Sequence, residues 1–309
     1  MKGQTTLFVA LLIVWTQSSG AARSLTFSIP SSTLLFGTYN DVRVATPDRT
    51  QAVPLPLEVG ANEGYFAYPG LSPMGDLIGW GFATGVLEDR PKHKIRYALG
   101  IYSFAESKWK TYGDFDDIGA TSFSSDGSKI AFVAERGGKR GLLVFDVKSE
   151  TLTNAPYPKG MPTNASISWS PDAKRLAVEI QRGEKNPLVA VLDLDTGNLH
   201  PLGEGFDPSW SPNGEWISYY DSSWSKCLFV RPDGKGVKTI RKLRQSMFSY
   251  RRFGWGGPVW SPDSRQILLN EMTGDGDYID VVLVNLESGD VVTKAKNCLP
   301  VFGWISYKR

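Results

Sequence analysis

Two acidic clusters and one basic, aromatic run are the parts of this chain whose residue types and spacing suit chemistry. Asp114, Asp116 and Asp117 crowd one short stretch, and Asp275, Asp277 and Asp280 crowd another. Hard carboxylate oxygens on loops suit a calcium ion, and a facing carboxylate pair suits acid and base work on a glycosidic bond. Neither cluster carries a complete calcium-loop pattern, and solvated turns are the plainer reading, so no metal, no cofactor and no catalytic residue is assigned. From Lys235 to Trp260 there is no Asp or Glu, while seven Lys and Arg residues interleave with Phe248, Tyr250, Phe253 and Trp255. Arg and aromatic side chains together are the anchors of protein interfaces, because both bury large areas and Arg grips a carboxylate through two N–H groups. Arg241, Arg244, Tyr250, Arg251, Arg252 and Trp255 are the candidate binding residues, for a protein, a peptide or an anionic glycan. The competing reading is a solvated loop whose aromatics cover the edge of a neighbouring unit.

Other chemistries lack their parts. A serine nucleophile sits on a Gly-x-Ser-x-Gly elbow, but Gly70-Leu71-Ser72 is followed by Met74 where the last Gly belongs. His93 and His200 are the only histidines, and there is no Cys-x-x-Cys, His-Glu-x-x-His, phosphate loop or dinucleotide fingerprint. A net charge of +2 is no footprint for nucleic acid. On these grounds the sequence predicts a binding protein that is not an enzyme.

The elements that must position these residues are set by a repeat. Leu71-Ser72-Pro73-Met74-Gly75, Phe123-Ser124-Ser125-Asp126-Gly127, Trp169-Ser170-Pro171-Asp172-Ala173, Trp210-Ser211-Pro212-Asn213-Gly214 and Trp260-Ser261-Pro262-Asp263-Ser264 recur at intervals of about 40 to 50 residues, the period of propeller blades. A short β-rich run follows most copies, such as Ile130-Ala131-Phe132-Val133 or Leu176-Ala177-Val178, and then a second hairpin turns at Lys148-Ser149-Glu150, Asp195-Thr196-Gly197 or Glu287-Ser288-Gly289-Asp290. With 32 Gly and 19 Pro the chain is too turn-rich for a helical protein, and 41% hydrophobic residues supply a sizeable core.

The chain ends complete the count. Trp304 to Tyr307 read as a strand with no hairpin after it, and Val42–Ala45 with Ala52–Leu55 read as a hairpin with no turn motif before it. Joined, they make one blade, giving an all-β, six-bladed propeller whose terminal strands share a blade and leave no open edge. Residues 1–22 read as a secretory signal: Lys2, the apolar run Leu7 to Trp15, then Ser18, Ser19, Gly20, Ala21 and Ala22. Nine apolar residues span about 14 Å as a helix, short of the roughly 30 Å core of a bilayer, so cleavage rather than stable membrane insertion is predicted. The propeller then occupies residues 23–309 in the periplasm or outside the cell. Cys227 and Cys298 fall in non-adjacent blades on this assignment, so both read as buried small hydrophobes more readily than as a disulfide.

These motifs resemble the TolB-type, WD-like propeller repeat, most closely in Phe123 to Phe132 and Trp169 to Val178, and the resemblance runs through nearly all of residues 23–309. It implies that the repeated Trp, Pro and Asp positions are structural, with the aromatic packed between blades and the Asp or Asn bonded to its turn. It also implies that the loop preceding Trp260 shares a face with the basic run Arg90, Lys92, Lys94 and Arg96 and with Lys139 and Arg140. Relatives with such repeats include translocation proteins, gating propellers of peptidases and secreted proteins without assigned roles. The α/β domains that accompany some of them find no room here. A secreted or periplasmic interaction propeller is the leading reading. The alternatives are a carbohydrate hydrolase or lyase using carboxylates in the central funnel, and the detached regulatory propeller of a peptidase.

Overall fold

In every described copy of the repeat the serine closes its own turn. Ser124 Oγ donates to Asp126 Oδ1 (2.6 Å) and accepts from the Lys129 amide (3.0 Å). Ser211 donates to Asn213 Oδ1 (2.8 Å) and accepts from Trp216 N (2.9 Å), and Ser261 does the same with Asp263 (2.6 Å) and Gln266 N (2.9 Å). Ser170 bonds Asp172 and Arg175 N in the same manner, and Ser72 bonds Asp76 and Leu77 N. All five serines are buried, so each hydroxyl has the paired donor and acceptor that burial demands. Ser72 is thereby a turn residue. The fifth position turns left-handed, with φ of +72° at Gly127 and +77° at Gly214, which is why Gly recurs there; Ala173 and Ser264 hold the same conformation at +53° and +59°.

The computed structural model describes residues 7–12, 34–37, 42–45, 50–53, 70–73, 76–84, 96–183, 185–242, 257–272, 279–298 and 301–307. These are all strands, turns and bends, without a helix among them. Strands β1 (Leu7–Leu12), β2 (Leu34–Gly37), β3 (Val42–Ala45) and β4 (Thr50–Val53) belong to one sheet. A second sheet holds β5 (Gly70–Leu71), β6 (Leu77–Thr84), β7 (Arg96–Ser103) and β8 (Lys108–Phe115). A third is built from β10 (Ser122–Phe123), β11 (Lys129–Arg136), β12 (Lys139–Asp146) and β13 (Thr151–Ala155), with β9 (Asp117–Ile118) also paired to β11.

A seven-stranded sheet follows: β14 (Ile167–Trp169), β15 (Arg175–Arg182), β16 (Lys185–Asp193), β17 (Leu199–Trp210), β18 (Ile217–Asp221), β19 (Lys226–Val230) and β20 (Lys238–Lys242). It is two antiparallel meanders sharing β17, whose first half pairs with β16 and whose second half pairs with β18. The last meander is β21 (Val259–Trp260), β22 (Gln266–Met272), β23 (Ile279–Asn285) and β24 (Val291–Cys298). Finally β25 (Val301–Tyr307) joins the first sheet in the order β25-β1-β2-β3-β4. It also contacts β21 and β5.

The terminal hairpin expected at Val42 is present as β3 and β4, but β1 and β2 were not anticipated: the apolar run read as the centre of a leader pairs with β25 from Leu7↔Tyr307 onward. A second difference concerns cysteine. β24 continues through Lys294 to Cys298, which places Cys298 in the sheet next to that of Cys227, not in a distant one. Cys227 itself is a free, fully buried thiol whose pKa burial pushes well above its usual value.

Among the described residues the hydrophobic core lies between neighbouring sheets. Leu99 and Phe115 pack with Phe123, Phe132 and Phe145; Val133 and Leu142 pack with Trp169 and Val178; Val189 and Val191 pack with Trp210 and Tyr219; Phe206 and Tyr220 pack with Trp260 and Ile267. The repeat aromatics seal these layers, as the resemblance implies. Trp169 Nε1 donates to Ser122 O (2.9 Å) and Trp260 Nε1 to Ser218 Oγ (2.8 Å), each in the preceding meander. Close approach is tightest at Gly119, where a Cβ would stand 1.8 Å from Thr163 O. Gly119→Ala is therefore expected to destabilise the protein by about 2 kcal/mol or more, because backbone must move to admit the methyl. Thermal unfolding beside Gly141→Ala, where the nearest atom lies 4.0 Å away, checks this: equal melting of the two variants would show that the layers can separate freely.

Candidate binding face and a buried carboxyl

Among the described residues, the segment between β8 and β10 and the loop into β14 lie on the same face as the tips of the β11–β12 and β15–β16 hairpins. The Gly137 amide, at the β11–β12 tip, donates to Asp116 Oδ2 (2.5 Å), and Gln181 N, at the end of β15, donates to Gly160 O (2.8 Å). This face holds the first acidic cluster, and its carboxylates already have partners. Arg96 Nε donates to Asp114 Oδ1 (2.7 Å), Nη2 donates to Asp114 O (3.0 Å) and Nη1 donates to Asp116 Oδ1. Arg136 adds a bond from Nε to Asp114 O (2.9 Å) while its guanidinium lies 5.0 Å from the centre of the Phe115 ring. Asp117 Oδ1 accepts from Ile118 N (2.9 Å). The cluster is thus an ion-paired clamp between β7, the end of β8 with the residue after it, and the β11–β12 tip, and Arg96 is part of it. Arg140 pairs with Glu135 (2.9 Å) across the same hairpin.

Of the second cluster, Asp280 is buried in β23, while Asp275 and Asp277 lie outside the described residues. Among the described residues no three His, Cys, Asp or Glu side chains are grouped to hold a metal. Of the candidate binding residues, Arg241 stands on β20 and reaches Glu271 on β22 through Nε and through Nη2 (3.3 Å). Glu271 is fully buried, so Arg241 ties neighbouring sheets together and supplies the counter-charge that a buried carboxylate requires. Arg244, Tyr250, Arg251, Arg252 and Trp255 lie outside the described residues, as do His93, Arg90, Lys92 and Lys94.

One ionisable group on this face escaped sequence reasoning. Asp207 occupies a bulge in β17 between Phe206 and Ser209, with φ +52°. Ser166 Oγ donates to its Oδ1, and its buried Oδ2 has no hydrogen-bond partner among the described residues. Burial, opposed by the Ser166 bond, raises its pKa to about 7. Gly257 makes the bulge possible from the next meander, because a Cβ there would lie 2.8 Å from Asp207 O. The signal in the sequence was positional. Three residues before the repeat aromatic stand Ala120, Ser166 and Gly257 in other copies, all small, and only Asp207 is ionisable.

TolB from Acinetobacter baumannii has a similar structure, with a TM-score of 0.63 at 15% identity over 85% of this chain and 62% of that one. The chain has the fold of a TolB-type β-propeller. A putative TolB from Agrobacterium tumefaciens gives 0.60 at 19% identity over 84% of this chain and 92% of that one, and a chain of a nidogen/laminin complex gives 0.58 at 10% over 89% and 97%. The TolB-type propeller here thus spans about three-fifths of the A. baumannii protein. No family model matches the sequence, and no curated protein matches it. The expectation that the chain is not an enzyme is overturned by two further likenesses. Oligogalacturonate lyase from Vibrio parahaemolyticus (TM-score 0.58, 11% identity, 82% of this chain and 74% of that one) and acylaminoacyl peptidase from Pyrococcus horikoshii (0.51, 17%, 75% and 39%) carry the same propeller. An incomplete catalytic motif in the sequence does not exclude catalysis on this fold, because catalytic groups can converge from separate blades.

The Asp207 carboxyl makes stability depend on pH. Its folded pKa of about 7 lies above the unfolded value of 3.8, so between these limits the native state holds one more proton and stability falls as pH rises. The contribution is full below pH 4 and lost above pH 7, a change on the order of 4 kcal/mol. Asp207→Asn, which keeps the left-handed backbone accessible and an oxygen for Ser166, is expected to remove this slope and to melt higher than wild type at pH 8. Denaturant unfolding from pH 4 to 8 measures it, and an unchanged slope would reassign the dependence elsewhere.

Proposed function

We propose that this chain is an extracytoplasmic interaction propeller that holds a protein or peptide partner on the face bearing the loop before β21 and the β11–β12 tip. The observation that carries the reading is the acid-free run from Lys235 to Trp260, with its seven cations and four aromatics before Trp260. The nidogen/laminin complex supports it, since that propeller too occurs with a protein partner. Arg244, Tyr250, Arg251, Arg252 and Trp255 form the contact, and Arg241, tied to Glu271, braces it from β20. Charge draws an acidic partner in, and the aromatics anchor it. An anionic glycan would meet the same groups, and the likeness to oligogalacturonate lyase favours a second reading as a carbohydrate lyase or hydrolase. Since Asp114 and Asp116 are held by Arg96, that reading places its chemistry on other residues. The peptidase likeness keeps a third role open, as a regulatory propeller acting on a separate peptidase.

The same reading takes residues 1–22 as a cleaved leader and residues 23–309 as a six-bladed ring closed by β25 with β2, β3 and β4. The contacts of β25 with both β21 and β5 support the closure. Cleavage would withdraw β1 from its place beside β25. Mass spectrometry of the protein recovered from the extracytoplasmic fraction is expected to find Ala22 or Arg23 at the amino end; a chain beginning at Met1 would instead make β1 a permanent strand of that blade.

Two substitutions separate steering from anchoring. Arg251→Glu with Arg252→Glu should weaken partner capture mainly at low salt, because exposed charges are screened beyond about 10 Å at 0.1 M. Trp255→Ala should weaken it at every salt concentration, by about 2 kcal/mol or more. Pull-downs from the native extracytoplasmic fraction compare them, and an identical partner set for wild type and both variants would leave this loop without a binding role.

A further inference from the structure

The opposite face carries the serine-closed turns and the turns between third and fourth strands. Here neighbouring turns are stitched together: Ser125 Oγ donates to Pro171 O (2.7 Å), and Asn213 N donates to Ser264 Oγ (3.0 Å). Between the Asp172 turn and the Asn213 turn no such hydrogen bond occurs among the described residues. Gly214 and Pro171 meet there only at van der Waals distance, 3.5 Å from the Gly214 Cβ position to Pro171 Cγ. At this interruption a groove of about 330 Å³ opens, lined by Arg175, Gly214, Glu215, Arg231, Pro232 and Asp233.

Both arginines are held by indoles. The Arg175 guanidinium lies 5.1 Å from the Trp210 ring centre, and that of Arg231 lies 4.7 Å from Trp216. Stacking fixes the guanidinium plane and leaves its N–H edge free for a carboxylate. Arg175 has one long ion pair, 3.5 Å to the exposed Asp172, and Arg231 has no acidic partner within 4.0 Å among the described residues. Glu215 likewise has no cationic partner there, and Asp233 stands 3.9 Å from Lys235. One groove therefore presents cations and anions that do not close on each other. A ligand that satisfies both signs must carry carboxylate together with ammonium or N–H donors. A polyuronate would meet Arg175 and Arg231 but be repelled by Glu215 and Asp233.

We propose that this groove binds a mixed-charge peptide segment of a partner protein, with a carboxylate of the peptide on Arg175 and Arg231 and a basic side chain or amide of the peptide on Glu215. This site is separate from the loop before β21 and does not depend on the role given to that loop. Its test uses the full chain and the capped peptide acetyl-(Glu-Lys)3-amide, titrated by calorimetry at low and physiological salt. Saturable binding is expected, about tenfold weaker in Arg231→Ala and in Glu215→Ala, with melting temperatures unchanged because both side chains are exposed, and unaltered by Arg251→Glu with Arg252→Glu. Capped hexaglutamate and hexagalacturonate should bind more weakly than the mixed peptide. No saturable binding up to ~10 mM, where the interaction is negligible, would overturn the proposal, as would equal affinity in both groove variants or tighter binding of hexagalacturonate.

Discussion

Everything in this fold hangs on a buried serine hydroxyl that donates to an Asp or Asn and accepts a backbone amide within five residues. The pair of bonds closes the hairpin between the first two strands of a meander and lets the buried hydroxyl both donate and accept. Because the turn is rigid, the residue before the serine has a fixed direction. Trp169, Trp210 and Trp260 are thereby aimed between sheets, where Trp169 and Trp260 also bond the preceding meander. Local chemistry in each turn thus sets the spacing between layers.

Trp210 shows what happens when one partner is missing. Its Nε1 is buried without a hydrogen-bond partner among the described residues, and the Arg175 guanidinium stacks on its ring. The same junction lacks the turn-to-turn bond found at its neighbours, and the open groove lies there. Irregularity is local, and the two sides of the junction still pack through the buried Val189, Val191, Trp210 and Tyr219.

Charge is handled in three ways across the molecule. Asp114 and Asp116 are paired with Arg96 at the rim, where water still reaches them. Glu271 is fully buried and depends on Arg241. Among the described residues Asp207 has only a serine hydroxyl, and its burial is met by holding the proton to about pH 7. The first pair ties β7 to the end of β8 and the second ties β20 to β22 of the next sheet, so they fix geometry, whereas Asp207 ties stability to pH.

The sequence by itself determined the meander. The turn motif, its Gly at a left-handed position and the short β-rich runs that follow are bonded within about five residues, so all-β structure and the structural role of Trp169, Pro171 and Asp172 were legible there. The extent of strands was less so: β24 runs on to Cys298, and Leu7–Leu12 pairs with β25, because a strand ends where its neighbour stops offering hydrogen bonds and not where its own pattern fades. For the candidate site, the basic and aromatic composition before Trp260 was readable, but the tie between Arg241 and Glu271 was not. Only the tertiary structure decided that Asp114 and Asp116 serve Arg96, that Ser166 meets Asp207 and that Arg175 and Arg231 share a groove. Each of these pairs joins different strands or sheets, and their meeting depends on how the layers pack against one another, which no spacing along the chain records.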